Sequence, residues 1–408
     1  MIPIYIKNEK KFKTITLALK FKAPIDADLI TERSLLAKLM TKSTANYPTE
    51  QKLYDYLSDL YGAHLSSYVT KQKTAHVMTF SIEFIHDKFI DEPLFDACCQ
   101  LLSDVIKHPN VNGDSFNEQK VVQEKQLLNA RFDNMKDNKA QASFQRMLKE
   151  MFQTSYRYPS IGIEDRLPDV TPASLYAAYE SMLQKDEKAL YVIGDVTEEI
   201  RSKLEHYFDF NSEDVTLEPL ELEPKAKSVY VTEYTDTSQA RINMGMTVHV
   251  EYGTSDYFAL IVMNQIYGGD ATSLLFMNVR EKMSLAYQIH SQVDARLGLM
   301  YVVAGVQNAT YQQAVDTILS QLEMMKQGEF SEELLIIAKK MLISHRRENF
   351  DRPRGWIEVS YASSFDTAQL STEEWIKGIE SVTKEEVMAI AEQVNVQTIY
   401  CLAEEVKA

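Results

Sequence analysis

Phe330-Ser-Glu-Glu-Leu-Leu-Ile-Ile-Ala-Lys-Lys-Met-Leu342 repeats, in position and amphipathic phase, the earlier run Phe116-Asn-Glu-Gln-Lys-Val-Val-Gln-Glu-Lys-Gln-Leu-Leu128. Further along, Val170-Thr-Pro-Ala-Ser-Leu-Tyr176 is matched by Val382-Thr-Lys-Glu-Glu-Val-Met388. Each of these is followed about 18 residues later by a strand-like run, Ala189 to Val192 and Thr398 to Leu402. The offset is about 210 residues throughout, and a fixed offset marks a duplicated structural unit.

Working outward, each copy opens on an alternating strand, Thr14-Ile-Thr-Leu-Ala-Leu-Lys-Phe21 in the first and Ala240-Arg-Ile-Asn-Met-Gly-Met-Thr-Val-His-Val250 in the second. Two helices follow, then a pair of strands: His64 to Val69 with Ala75 to Ile85, or Ala286 to Val293 with Leu299 to Gly305. Long helices come next, and Thr171 or Thr383 caps the last of them, with Glu386 completing a capping box in the second copy. Strands grouped with helices on one face predict an α+β fold: two homologous domains, each a largely antiparallel sheet packed with helices. The expected boundaries are 1–217 for the first domain, 218–227 for an acidic, Pro-punctuated linker, and 228–408 for the second.

At 408 residues the chain is long enough for two such domains, and 45% hydrophobic residues is an ordinary soluble composition. No apolar run approaches the roughly 18 residues of a membrane helix. A net charge of −16 argues against nucleic acid or an anionic membrane surface as partner. The N-terminal residues have no basic-then-apolar signal region and there are only three cysteines, so a reducing cytoplasm is the expected location.

The chemistry-bearing stretch is Tyr267-Gly-Gly-Asp-Ala-Thr-Ser-Leu-Leu-Phe-Met-Asn-Val-Arg-Glu-Lys-Met-Ser-Leu-Ala-Tyr287. A Gly-Gly turn leads into a short apolar helix, an Arg-Glu-Lys cluster, and then a strand. This order resembles the C-terminal-domain signature of the pitrilysin/insulinase-like zinc peptidases, with their R-E-x-x-x-L-A-Y pattern, and the resemblance covers nearly the whole chain. It implies that Arg280 and Tyr287 face a peptide held at a zinc ion on another domain. A guanidinium and a phenol can hydrogen-bond a peptide carbonyl and the charge that develops on it.

The family's zinc half is an inverted H-x-x-E-H on an N-terminal helix. No such motif occurs here. The family pattern falls on Ser34-Leu-Leu-Ala37-Lys38, replacing both His ligands and the base, and its distal Glu falls on Glu124 or Lys125. One carboxylate cannot hold a catalytic zinc.

Other candidates have plainer readings. The eight His are scattered, and His345-Arg-Arg-Glu348 reads as a solvated helix face. Cys98, Cys99 and Cys401 read as core residues without zinc-finger spacing. Gly268-Gly269-Asp270 lacks a phosphate-loop pattern and reads as a tight turn. Ser34 and Lys38 lack the third group and oxyanion turn of a Ser-Lys nucleophile. Tyr156-Arg-Tyr-Pro-Ser-Ile-Gly162 is similar to the family's His-Pro-Tyr-x-x-P-x-x-G loop without its His, either framing a cavity or simply packing.

The resemblance therefore implies the zinc-lacking subunit of a heterodimeric peptidase. Its partner, an H-x-x-E-H homologue, would hold the zinc, and this chain would bind no metal or cofactor of its own. Peptides are the implied substrate, no nucleic acid or membrane partner is implied, and a homodimer stays open for the isolated chain. By overall impression it is similar to metal-free members of bacterial pairs, some associated with aminopentanol modification of elongation factor P. The alternative is a catalytically inactive scaffold or binding protein of the same fold.

Overall fold

The computed structural model describes residues 1–220, 228–366 and 368–404. In the first half these residues form β1 (Ile4–Asn8), β2 (Thr14–Pro24), α1 (Ile30–Met40), α2 (Glu50–Asp59), β3 (His64–Gln72), β4 (Ala75–Ile85), α3 (Phe95–Lys107), α4 (Glu118–Asp137), α5 (Lys139–Met151), α6 (Pro172–Lys185), β5 (Glu187–Gly194) and α7 (Arg201–Tyr207). The second half forms β6 (Val229–Thr235), β7 (Ala240–Thr247), α8 (Ser255–Asn264), β8 (Ala286–Asp294), β9 (Leu299–Val306), α9 (Tyr311–Lys326), α10 (Glu332–Asn349), α11 (Pro353–Ser363), α12 (Thr372–Ser381), α13 (Lys384–Gln393) and β10 (Asn395–Glu404). Residues 221–227 of the expected linker lie outside the described residues.

The strands make two five-stranded sheets of the same topology, β1-β5-β2-β4-β3 and β6-β10-β7-β9-β8. In each, three neighbouring pairs are antiparallel and one edge strand, β1 or β6, runs parallel to its neighbour. The α+β class with largely antiparallel sheets is as expected. The parallel edges are additional: β1 and β6 are short, and their residues are buried only in part, so their alternation is weak.

By contacts the chain forms two compact units. One comprises Met1–Asp133, Tyr158–Pro219 and Asp351–Tyr361, the other Asn134–Arg157, Leu220–Phe350 and Ala362–Ala408. Each sheet thus takes one covering helix from the other half of the sequence. The first takes most of α11 and the second takes α5, helices at equivalent places in the repeat.

In the first unit, β2 is buried on both faces. Leu17, Leu19 and Phe21 point one way, toward α1's side of the sheet, and Lys20 points the other way. Lys20 is 1% exposed, donates to Glu358 Oε1 at 2.9 Å and Thr79 Oγ1 at 3.2 Å, and lies 4.5 Å from the Tyr361 ring. Burial pulls the Lys20 ammonium below its usual range while Glu358 opposes the shift. A charge this deep persists because it is paired, hydrogen-bonded and boxed by rings.

In the second unit the matching face of β7 carries Asn243, whose Nδ2 donates to Ser143 Oγ of α5 at 2.9 Å. Met147 and Met151 fill the space around it, and a Cβ on Gly245 would lie 2.5 Å from Met151 Sδ. Ile242, Met244 and Met246 join Leu260 and Met263 of α8 in the apolar core of the opposite face. The helices leading into β5 and β10 are capped as expected, although α7 follows β5 so that the Thr171-capped helix is not the last of its copy: Thr383 and Glu386 form the second capping box, and Ser174 gives Thr171 one as well. Among the described residues no helix is long and apolar enough to cross a membrane.

Candidate functional site

Ser34, Ala37 and Lys38 lie on α1, a helix buried nearly all round. Ser34 and Ala37 are inside the core, 3% and 0% exposed. Only Lys38 of the three reaches a surface. Its ammonium donates to the Ser67 carbonyl of β3, while Thr41 Oγ1 binds the Lys38 carbonyl at 3.0 Å and lies 3.2 Å from Ser67 Oγ. Of the two candidates on α4, Lys125 ties that helix to the carbonyls of Pro168 and Val170, at 3.0 and 2.7 Å. Glu124 instead lines the same cleft as Lys38, together with Lys42 and Arg131.

Burial raises the Glu124 carboxyl above its usual range, opposed by Lys42, Arg131 and Lys38. Burial lowers the Lys38 ammonium, as does Arg131, and Glu124 opposes. These groups do not fit zinc. The base position is a methyl group, one ligand position is a core hydroxyl, and the other is a cation that would repel the metal. Among the described residues no group of three or more His, Cys, Asp or Glu is placed to hold a metal ion.

What positions α1 is a buried polar network. Arg33 donates from Nε to His76 Nδ1 at 3.1 Å and pairs with Asp186 at 2.8 Å. Because Nδ1 accepts, His76 Nε2 carries the proton and donates to the Ser160 carbonyl at 2.9 Å. Burial and the adjacent Arg33 guanidinium drive the His76 pKa down to about 3, so the ring is neutral. The same loop is held by Lys71, which donates to the Tyr158 carbonyl at 3.0 Å. Its Gly162 has φ +114° and would set a Cβ 2.8 Å from the Thr31 Cα. The Tyr158 to Gly162 part of the loop therefore packs directly on α1.

The second unit holds Arg280 and Tyr287. After α8 the chain winds through a π-helical turn, Gln265–Gly269, and Gly268 lets it pass close to β8, where a Cβ would meet Ser291 Oγ at 2.6 Å. Asp270 closes the turn by accepting from Thr272 N at 2.6 Å and Gln265 Nε2 at 2.5 Å. The following segment, Leu275–Lys282, is also π-helical and buries Leu275 and Val279. Arg280 is on its outer side, 41% exposed, with its guanidinium 4.5 Å from the Phe276 ring centre and Nε 3.6 Å from Glu281 Oε1. Its backbone carbonyl accepts from Ser284 N, and Ser284 at φ +54° reverses the chain into β8.

Tyr287 is the extra residue of a β-bulge, because Ala286 pairs with Val306 and Gln288 with Gly305. It is 53% exposed on an edge strand. Bulges re-aim side chains and are frequent beside active sites. Five N–H donors and a phenol hydroxyl are thus presented within one short stretch, which suits hydrogen bonding to a peptide carbonyl.

The sequence reading missed the cationic neighbours of Glu124. Their signal is present: Lys42 follows Lys38 by four residues, just past the end of α1, and Arg131 follows Glu124 by seven on one face of α4. The remaining motifs take their plain readings. Cys98, Cys99 and Cys401 are buried free thiols, and His345 and Glu348 are exposed on α10.

The peptidase M16 inactive domain model matches residues 169–342. The chain is 34% identical over 405 residues to the "Probable inactive metalloprotease YmfF" of Bacillus subtilis (strain 168), covering 98% of this chain and 95% of that protein. It is 24% identical over 280 residues to the "Uncharacterized zinc protease YmxG" of the same organism, covering 68% of this chain and 64% of that one. A crystal structure of a conserved protein from Enterococcus faecalis V583 superimposes with a TM-score of 0.92 at 29% identity, covering 99% of this chain and 97% of that one.

Proposed function

This chain belongs to the peptidase M16 family, whose members are the pitrilysin/insulinase-like peptidases, and from that premise we propose that it is the metal-free subunit of a two-chain peptidase. The partner is an H-x-x-E-H homologue that supplies zinc, its ligands and the base that activates water. This chain supplies Arg280 and Tyr287, which bind the scissile carbonyl and the oxyanion formed from it. The observation that carries the reading is the contrast between its two halves. The zinc positions hold a methyl group and an ammonium, while Arg280 and the bulged Tyr287 stay exposed on one turn and one strand edge. A pure scaffold has no use for that pair.

The substrate is an extended peptide, which can add to a free sheet edge through backbone hydrogen bonds; β3 and β8 are such edges. The pair works in the cytoplasm. The test is to assay a mixed peptide library with this chain, with its H-x-x-E-H homologue from the same genome, and with both. Zinc-dependent cleavage only by the mixture is the expected result. Equal cleavage by the homologue alone favours a scaffold or binding role for this chain.

A further inference from the structure

The cleft beside Lys38 has no metal chemistry available to it, yet it is built around cations. It is about 370 Å³ in volume, and its polar lining includes Lys38, Lys42 and Arg131 against Glu50 and Glu124. Lys42 is already engaged by Glu50 at 2.6 Å on the exposed rim. That leaves Lys38 and Arg131 facing Glu124 alone, a local excess of positive charge in a chain whose net charge is −16. An adjoining cleft shares Lys42, Glu50 and Glu124 and adds Lys120, which donates to the Pro48 carbonyl at 2.8 Å, so its charges balance.

The remaining wall is apolar: Leu53, Leu57 and Leu65 with Tyr54 and Leu127, the last two exposed. Cations beside an apolar wall suit an anionic group attached to a hydrophobic one. One of the two cations is held in place and the other stands on the exposed rim. Lys38 is anchored to the Ser67 carbonyl of the edge strand β3, and Arg131 projects from the same helix as Glu124, two turns on.

We propose that this cleft binds the carboxylate of a peptide, with Lys38 and Arg131 as the anion-binding pair and Leu57, Leu65 and Leu127 receiving an adjoining apolar side chain. The position that holds a metal ligand in zinc-bearing relatives thus becomes an anchor for a peptide's acidic end. The proposal rests on the reading above only in taking a peptide as the ligand.

The test uses fluorescence anisotropy on the full chain with three labelled pentapeptides. One ends in leucine as the free acid, one is the same sequence as the C-terminal amide, and one is an amide ending in leucine-glutamate. The acid is expected to bind about tenfold or more tightly than its amide, the scale of one charge-assisted contact. Arg131→Gln and Lys38→Met should each bring the acid to the level of the amide while leaving the amide unchanged. Arg131 lies on an exposed helix face, so its variant retains the fold.

If the glutamate-bearing amide binds as the acid does, the site reads any peptide carboxylate; if it binds as the plain amide does, the site reads the chain terminus. Equal binding of acid and plain amide, no measurable binding of the acid, or an acid preference untouched by Arg131→Gln would each overturn the proposal. None of these would alter the expected turnover by the two-chain mixture, which tests the other half of the molecule.

Discussion

Where β2 sets Lys20 against Glu358 of α11, β7 sets Asn243 against Ser143 of α5. Both are buried polar residues on the central strand, and both bind the helix that each sheet takes from the other half of the chain. On the opposite faces the two units part. The first has Arg33, His76 and Asp186 at the fourth residue of the helix, the second residue of the inner strand, and the residue before the closing strand. The second has Phe258, Met300 and Val394 at those same places. One topology therefore carries two chemistries. Period and register set the sheet order, while the groups that key helix to sheet can be polar or apolar. The candidate sites follow the same division, with a cationic cleft in one unit and an exposed Arg-Tyr pair in the other.

The largest effect expected from this comparison is at Arg33. Arg33→Met leaves Asp186 buried without its cation and should cost about 3–5 kcal/mol in urea unfolding. Replacing the whole trio with its counterparts, as Arg33→Phe, His76→Met and Asp186→Val, should recover most of that loss. A triple variant less stable than Arg33→Met would break the equivalence of the two keys. Next in size is Gly162→Ala, where positive φ and contact with the Thr31 backbone should cost about 1–3 kcal/mol or more. Gly245→Ala in the second unit meets only the flexible ends of Met151 and Met147, so it should cost less, by the same denaturation measurement.

A pH-dependent effect belongs to His76. Its folded pKa of about 3 lies below the unfolded value of about 6.5, so below that value the unfolded chain binds a proton that the folded chain does not. Its contribution is whole above about pH 6.5 and is lost as pH falls toward 3, at up to about 1.4 kcal/mol per pH unit. Unfolding titrations of His76→Gln should lack that slope. Smallest are the caps: Thr171→Ala and Thr383→Ala should each cost about 1 kcal/mol, equally in both units. Unequal costs would mean that the two capped helices are not equivalent.

Much of the fold was legible because the repeat and the strand alternation are local signals. Leu17, Leu19 and Phe21 declare their face, and Thr383 with Glu386 declares a helix start. The exchanged helices were not legible, since the amphipathicity of α5 shows that it covers something but not which sheet. Lys20 reads as a solvent-facing residue until Glu358, 338 residues away, is brought to it. At the candidate site, Arg280 and Tyr287 stood out by order and residue type. The bulge that turns Tyr287 outward is a register event between β8 and β9, visible only once Val306 and Gly305 are paired with their partners. The cleft around Glu124 joins α1, α2, β3 and α4, and such convergence is tertiary.

The most direct measurement is peptide turnover by this chain assembled with its H-x-x-E-H homologue, comparing wild type with Arg280→Ala and Tyr287→Phe. Loss of about 10²-fold or more in kcat for Arg280→Ala, with assembly and folding intact, is the result expected of a donor aimed at a developing oxyanion. A smaller loss for Tyr287→Phe would accompany it. Unchanged turnover in both variants would contradict the account and leave the chain a scaffold.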